Sequence, residues 1–206
     1  MLLDDLQFSK RSWHHRNRVY DEKAGWIWLT IPTASTFPTN INEVKVAGKG
    51  WIRSHYDRLK ILYKGAPYFD DVKALFDLIS GVSRDSLTDY TIPLIERIKE
   101  DLGIGTPLLL SSSIEHESKH KTDLLVQVTK AAGGTAYVAQ PTAVEEYLDL
   151  AKFKEAHLGL ELFRYNHPVY RAGGEPYQSV VDLMAYVPRD KRLDVIRSGT
   201  SVTTMS

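Results

Sequence analysis

Cysteine is absent from all 206 residues, which removes disulfides, thiolate nucleophiles, iron–sulfur clusters and cysteine-based zinc sites together. Excess charge is absent too. The 26 Lys and Arg balance 26 Asp and Glu, leaving no global field to draw nucleic acid or an anionic membrane surface. No apolar run approaches the roughly 18 residues needed to span a bilayer. The opening MLLDDLQF carries two aspartates where an export signal needs positive charge. These absences describe a cytoplasmic protein with no membrane insertion and no nucleic-acid partner. Phosphate-loop, dinucleotide-fold and nucleophile-elbow patterns are also missing. GKG at 48–50 reads as a turn, and the serine run at 111–113 gives no reason to name a nucleophile.

What is present suits a globular core: 43% of residues are hydrophobic and 25% charged, near the soluble average. Residues 1–190 read as a single domain and 191–206, small and polar at the end, as a flexible tail. The front reads as strand-rich, with strands expected at 2–8, 26–32 and 41–47. From Trp51 the period lengthens, so that Trp51, His55, Leu59 and Leu62 share a helical face. Further helices are expected at 68–79 and 86–102. Pro93 marks a kink or restart with Thr91 as its cap, and Gly103 the end. Strands at 108–111, 135–139 and 160–165 then alternate with helices at 121–132, 142–156 and 179–186. That alternation predicts an α/β fold with a mostly parallel sheet flanked by helices.

One run spells a known metal pattern. His116-Glu117-Ser118-Lys119-His120 reads H-E-x-x-H, which on a helix sets two imidazoles one turn apart with a glutamate as base. A catalytic zinc needs a third protein ligand, and no histidine follows close downstream. Lys119 and Lys121 would sit beside the dication, and the apolar helix begins only after the pattern. The run therefore reads as a polar lead-in to a helix, with no metal assigned and a zinc hydrolase kept as the lesser alternative.

Three other features carry chemistry. Lys10–Arg18 (KRSWHHRNR) is either a receiver of a phosphate or diphosphate or a solvated loop. His55 is either a hydrogen-bonded core residue or an acid–base group facing a cleft. Four tryptophans and eleven tyrosines build cores or offer flat faces to sugars. The aspartate pairs at 4–5 and 70–71 point to opposite sides if they lie on strands.

The runs DDLQF, HHRNRV, WIWLTIP, INEVKV and ILYKGAPYF occur in this order. Leu102-Gly103-Ile104, Lys121, Tyr137 and Tyr147-Leu148-Asp149 follow, then YNHPVY and Ser179-Val180-Val181-Asp182-Leu183. In this the chain resembles the WbqC-like proteins over residues 3–188. The resemblance implies a transferase of surface-polysaccharide (O-antigen) biosynthesis, moving an amino acid such as glycine, or another acyl group, onto an amino sugar. It implies a small-molecule or carrier-linked sugar substrate, and names no cofactor or oligomeric state. Carried over residue by residue, His55 and Asp5 become the catalytic candidates. Gln7, Arg16, Asn17, Thr30, Tyr63 and Asp182 become the substrate-binding ones. A non-catalytic sugar- or nucleotide-binding module is the alternative. Family members usually begin with a further strand and turn, which the resemblance implies is missing ahead of Leu2. Ala139-Gln140 and Ala185-Tyr186 depart from the usual Ser-Gly and Phe-Asn.

Overall fold

The first regular element forms where the sequence reads as a basic loop. Arg16–Asp21 is a strand, β1, paired antiparallel with β2, Gly25–Thr30. The turn between them has a local cause. Asp21 Oδ1 accepts the amide hydrogens of Lys23 (2.8 Å) and Ala24 (3.1 Å), and Gly25 takes φ +71°, a conformation open to glycine at no steric cost. In the computed structural model residues 1–35, 38–117 and 121–205 are described. They group into two compact units: Asp5–Thr106 with His167–Ile196, and Met1–Asp4 with Pro107–Asn166 and Arg197–Ser206.

In the larger unit the hairpin precedes three helices: α1 (Gly50–Leu62), α2 (Phe69–Ser80) and α3 (Leu87–Asp101). Later come α7 (Val180–Tyr186) and most of α8 (Arg189–Ser198). Val19, Leu59, Tyr63, Val72, Leu75, Met184 and Ala185 form one core cluster, with Ile27 and Leu29 packed on it. A second gathers Phe8, Ile31, Val44, Val46, Trp51, Ile52, Ile79, Leu87 and Tyr90. Each buried Val, Leu, Ile, Phe or Met among them contributes about 1.5–3 kcal/mol of transfer free energy. Helix α3 starts at Ser86, whose amide is held by Asp89 at 3.0 Å, so Ser86 rather than Thr91 is the cap and Pro93 sits inside one continuous helix. Gly103 ends it as expected. Ile104 N–H reaches Lys99 O (2.9 Å) and Gly103 N–H reaches Glu100 O (3.0 Å), the glycine-dependent closure of a helix end.

The smaller unit holds α4 (Lys121–Ala131), β3 (Ala136–Ala139), α5 (Pro141–Glu146), α6 (Leu150–Glu155), β4 (Gly159–Tyr165) and β5 (Thr200–Met205). Its core is Leu125, Ala139, Ala143, Leu148, Phe153 and Leu160. The helix expected at 142–156 is two, because Asp149 breaks off and caps α6 through Ala151 N–H (3.1 Å).

Mixed helix and strand is right; a mostly parallel sheet is not. Among the described strands only β3 and β4 pair parallel, while β1–β2 and β4–β5 are antiparallel in separate sheets of two and three strands. The reason is that α5 and α6 supply the one crossover between neighbouring parallel strands. Residues 108–111, expected as another strand, make a single bridge at Leu110 to Leu2. They then turn into a 3-10 segment, Ser111–Ser113, because Ser111 and Ser112 bind the buried Asp4 carboxylate. The Ser112 hydroxyl donates at 2.6 Å and its amide at 3.0 Å. Burial alone would raise the Asp4 pKa; the Ser112 and Ser111 hydrogen bonds outweigh it and leave the group lowered. The expected strands at 2–8 and 41–47 are likewise isolated bridges and a 3-10 turn, Ile41–Glu43. Residues 191–206, expected as a tail, carry the rest of α8 and β5. Just before β5 the chain passes close: a methyl group on Gly199 would lie 2.2 Å from the Asn166 carbonyl oxygen.

Arg192 is 0% exposed. It donates to the carbonyls of Val187 (2.9 Å) and Met184 (2.7 Å) at the end of α7, bonds Asp71 on α2, and lies 3.7 Å from Asp101 on α3. Arg192→Met uncaps the Met184 and Val187 carbonyls and removes one of three guanidiniums near buried Asp101, which keeps Arg97 and Arg189. Urea denaturation should show a loss of about 1.5–3 kcal/mol, the scale of lost hydrogen bonds to a charged group. A loss under about 1 kcal/mol would mean that the network only decorates the packing.

Candidate functional site

Both clusters that carry chemistry lie in the larger unit, and the hairpin builds the first. Ile31 N–H bonds His15 O at 2.8 Å, which makes 15/31 a hydrogen-bonded pair. Antiparallel alternation then turns the backbone groups of Arg16, Thr30, Tyr20 and Trp26 outward, away from the partner strand. Two of these edge groups meet side chains. Gln178 Oε1 accepts Tyr20 N–H at 3.2 Å, and the Thr30 carbonyl stands near enough to the His55 imidazole to favour its charged form.

His55 is half-buried on α1 and sits edge-on to Trp51 with ring centroids 5.3 Å apart. Burial depresses its pKa, partly offset by the Thr30 carbonyl, so the ring is neutral at pH 7. A neutral imidazole that donates from one nitrogen has its other nitrogen free to accept a proton. Arg16 is the cross-strand partner of Thr30. Its guanidinium lies over the Trp28 ring at 4.1 Å, and its Nε is buried without a hydrogen-bond partner.

The second cluster surrounds Asp182, 1% exposed in the first turn of α7. Its carboxylate accepts the Tyr170 hydroxyl at 2.7 Å and the Arg171 guanidinium at 3.0 and 3.3 Å. Arg171 stacks over Tyr186 at 4.4 Å, and Tyr186 meets Tyr63 edge-on at 5.8 Å. Burial and then the Asp182 charge push the Tyr170 and Tyr63 hydroxyls far above the ordinary phenol range. Both stay protonated. Tyr170 is committed as a donor, whereas the buried Tyr63 hydroxyl makes no hydrogen bond of full geometry and feels Asp182 mainly through its field.

The sequence candidates therefore fall into groups. Arg16, Thr30 and His55 meet at one end of the hairpin; Tyr63 and Asp182 meet at α7. Asn17 is exposed on the opposite face of β1 from Arg16, its Oδ1 accepting the Arg18 amide at 2.7 Å. Half-buried Asp5 and exposed Gln7 belong to the opening segment, where Gln7 bridges to Asn40. Phe8 then packs on His15 with centroids 5.1 Å apart. Tyr170, Arg171 and Tyr186 are site residues that the sequence reading does not name. The YNHPVY run and the arginine after it are the signal for the first two; Tyr186 has no such local signal.

The H-E-x-x-H run separates from any metal geometry that can be described. His116 and Glu117 are not helical and α4 begins at Lys121, while Ser118, Lys119 and His120 lie outside the described residues. Among the described residues no group of three His, Asp or Glu is placed to hold a metal, and no helix is long and apolar enough to cross a membrane.

Two hydroxyl deletions separate the roles in the Asp182 cluster. Tyr170→Phe should cost about 1.5–3 kcal/mol in urea denaturation, since it removes a hydrogen bond to a charged group. Tyr63→Phe should be within about 0.5 kcal/mol of the unaltered protein, because no full hydrogen bond is lost. The reverse order would show that Asp182 is held by Tyr63.

Comparison with known proteins fits this chain into a family. The uncharacterized protein Rv1507c of Mycobacterium tuberculosis is 29% identical over 192 residues, covering 89% of this chain and 81% of its own length. No solved structure gives a significant match. The family model for the WbqC-like proteins matches residues 1–193, nearly the whole chain and both clusters of side chains. The chain belongs to the WbqC-like protein family.

Proposed function

We propose that the protein is a group-transfer enzyme of surface-polysaccharide biosynthesis, working in the cytoplasm, that moves an amino acid such as glycine, or another acyl group, onto an amino sugar. The observation that carries this reading is a juxtaposition: half-buried His55, its pKa depressed by burial, stands near the Thr30 carbonyl, at the hairpin end where Arg16 has no anionic partner among the described residues.

An amine acceptor needs positioning and loss of a proton, not a covalent nucleophile. The amine nitrogen attacks the acyl carbon of an activated donor and a C–N bond forms. The bond from that carbon to its activating group breaks, and the proton leaves nitrogen for the free nitrogen of His55. The imidazolium then returns the proton to the departing group. The Thr30 carbonyl supports the ring while it is charged, and Arg16 and Arg18 hold phosphate on the sugar carrier. In this reading Asp5 is the second candidate base, and Gln7, Asn17, Tyr63 and Asp182 are the remaining candidate substrate contacts.

Two measurements test the reading. His55→Ala should lower kcat/KM for transfer to an amino-sugar acceptor by about 100-fold or more, the usual worth of a positioned base; equal turnover removes His55 from the mechanism. The pH profile supplies a sign as well. A depressed His55 pKa keeps the base active down to pH values below 6.5, so kcat/KM should fall only on the acid side of 6.5. That acid limb should vanish in His55→Ala. A limb centred above 6.5 contradicts a buried, neutral imidazole.

A further inference from the structure

The hairpin has a second face that this mechanism uses only in part. Residues directly opposite on paired strands share a face, and so do residues two apart. The register places Arg16, Arg18 and Tyr20 with Trp28 and Trp26 on the side away from Val19, Ile27 and Leu29. Each arginine lies over a tryptophan: Arg16 over Trp28 at 4.1 Å and Arg18 over Trp26 at 4.2 Å. Trp13, from the preceding turn, leans on Trp28 with centroids 5.1 Å apart.

Packing does not account for this arrangement. Trp13 is 63% exposed and Trp28 40%, so the Trp13–Trp28 end of this face is open, while Trp26 and the two arginine stems are half-buried. Neither Arg16 nor Arg18 makes a salt bridge or side-chain hydrogen bond to a described residue, and both Nε atoms are buried without a partner. On one strand face two positions apart, the two guanidiniums start about 7 Å from one another, near enough to share the oxygens of one diphosphate bidentately. A flat ring beside them with an open face suits a planar base, since every nucleobase has a π surface.

We propose that this outward hairpin face binds a nucleoside diphosphate, with the base stacked on Trp13 and the diphosphate held by Arg16 and Arg18. The inference rests on the transferase reading for its biological sense, and it names the carrier: the sugar arrives on a nucleotide, not on a polyprenyl lipid. The commitment follows from the surface itself. Its aromatic rings are interleaved with cations, which matches a ligand that alternates a planar ring with anionic groups. A lipid chain would require a continuous apolar strip.

The test is titration of the full-length protein with UDP and GDP by calorimetry and tryptophan fluorescence. Inorganic diphosphate, and vesicles carrying a polyprenyl diphosphate, are the comparison probes. UDP or GDP should bind and quench fluorescence, and inorganic diphosphate should bind more weakly. Trp13→Ala and Arg18→Met should each weaken nucleotide binding about tenfold or more, the scale of a lost stacking or charge-assisted contact. Thermal melts should match the unaltered protein, since Trp13 is exposed and Met keeps the apolar stem of Arg18.

Absence of nucleotide binding, binding indifferent to both substitutions, or binding confined to the polyprenyl vesicles overturns the proposal. Its fate separates from that of the transferase reading. Nucleotide binding through these residues without any transfer to an amino sugar leaves the site standing and removes the enzyme. Transfer at an unchanged rate by the Trp13→Ala/Arg18→Met double variant removes the site and leaves the enzyme.

Discussion

The register of the β1–β2 pair is the constraint on which the rest of the larger unit depends. With Arg16 opposite Thr30 and Asp21 opposite Gly25, Val19, Ile27 and Leu29 face Leu59 and Tyr63, and the arginines and tryptophans face out. The same register leaves the Thr30 carbonyl at the strand edge, where His55 meets it. A slip of one residue would turn the cations into the core and the valine to water. Asp21 and Gly25 prevent that slip by fixing the turn.

A second device holds the far side. Helix α7 has only seven residues, too few to be stable alone, and both of its ends are tied. Asp182 binds Arg171 and Tyr170 at the start, and Arg192 takes the Met184 and Val187 carbonyls at the end. Buried ions of this kind add little net stability, yet they make alternative packings costly because each leaves a charge uncompensated. That suits a segment whose work is to hold side chains in place.

Much of the helical framework was legible in the sequence because a solvent-facing helix states its period over several turns. Trp51, Leu59 and the α2 and α3 stripes did so, and so did the Gly103 stop. The strands were harder. Arg16–Asp21 has one buried residue, Val19, so composition alone reads it as a basic loop. Only the pairing of R-x-R-x-Y with W-x-W-x-T reveals two alternating faces. Strand–helix alternation predicts crossovers and hence a parallel sheet, but only long-range partners decide which strands meet. His55 could be singled out from its place on an apolar stripe, but its carbonyl partner lies 25 residues away and leaves no local trace. The H-E-x-x-H run is the opposite case, a sharp local pattern whose first two residues are not helical.

The account stands or falls on the protonation of one ring. Long-range nitrogen–proton NMR of the imidazoles, with His55 assigned by its loss in His55→Gln, reads both tautomer and charge. At pH 7 the account predicts a single neutral tautomer, one nitrogen carrying its proton toward Thr30 and the other bare, titrating below 6.5. A ring protonated at pH 7, or one that exchanges freely between tautomers, would contradict it.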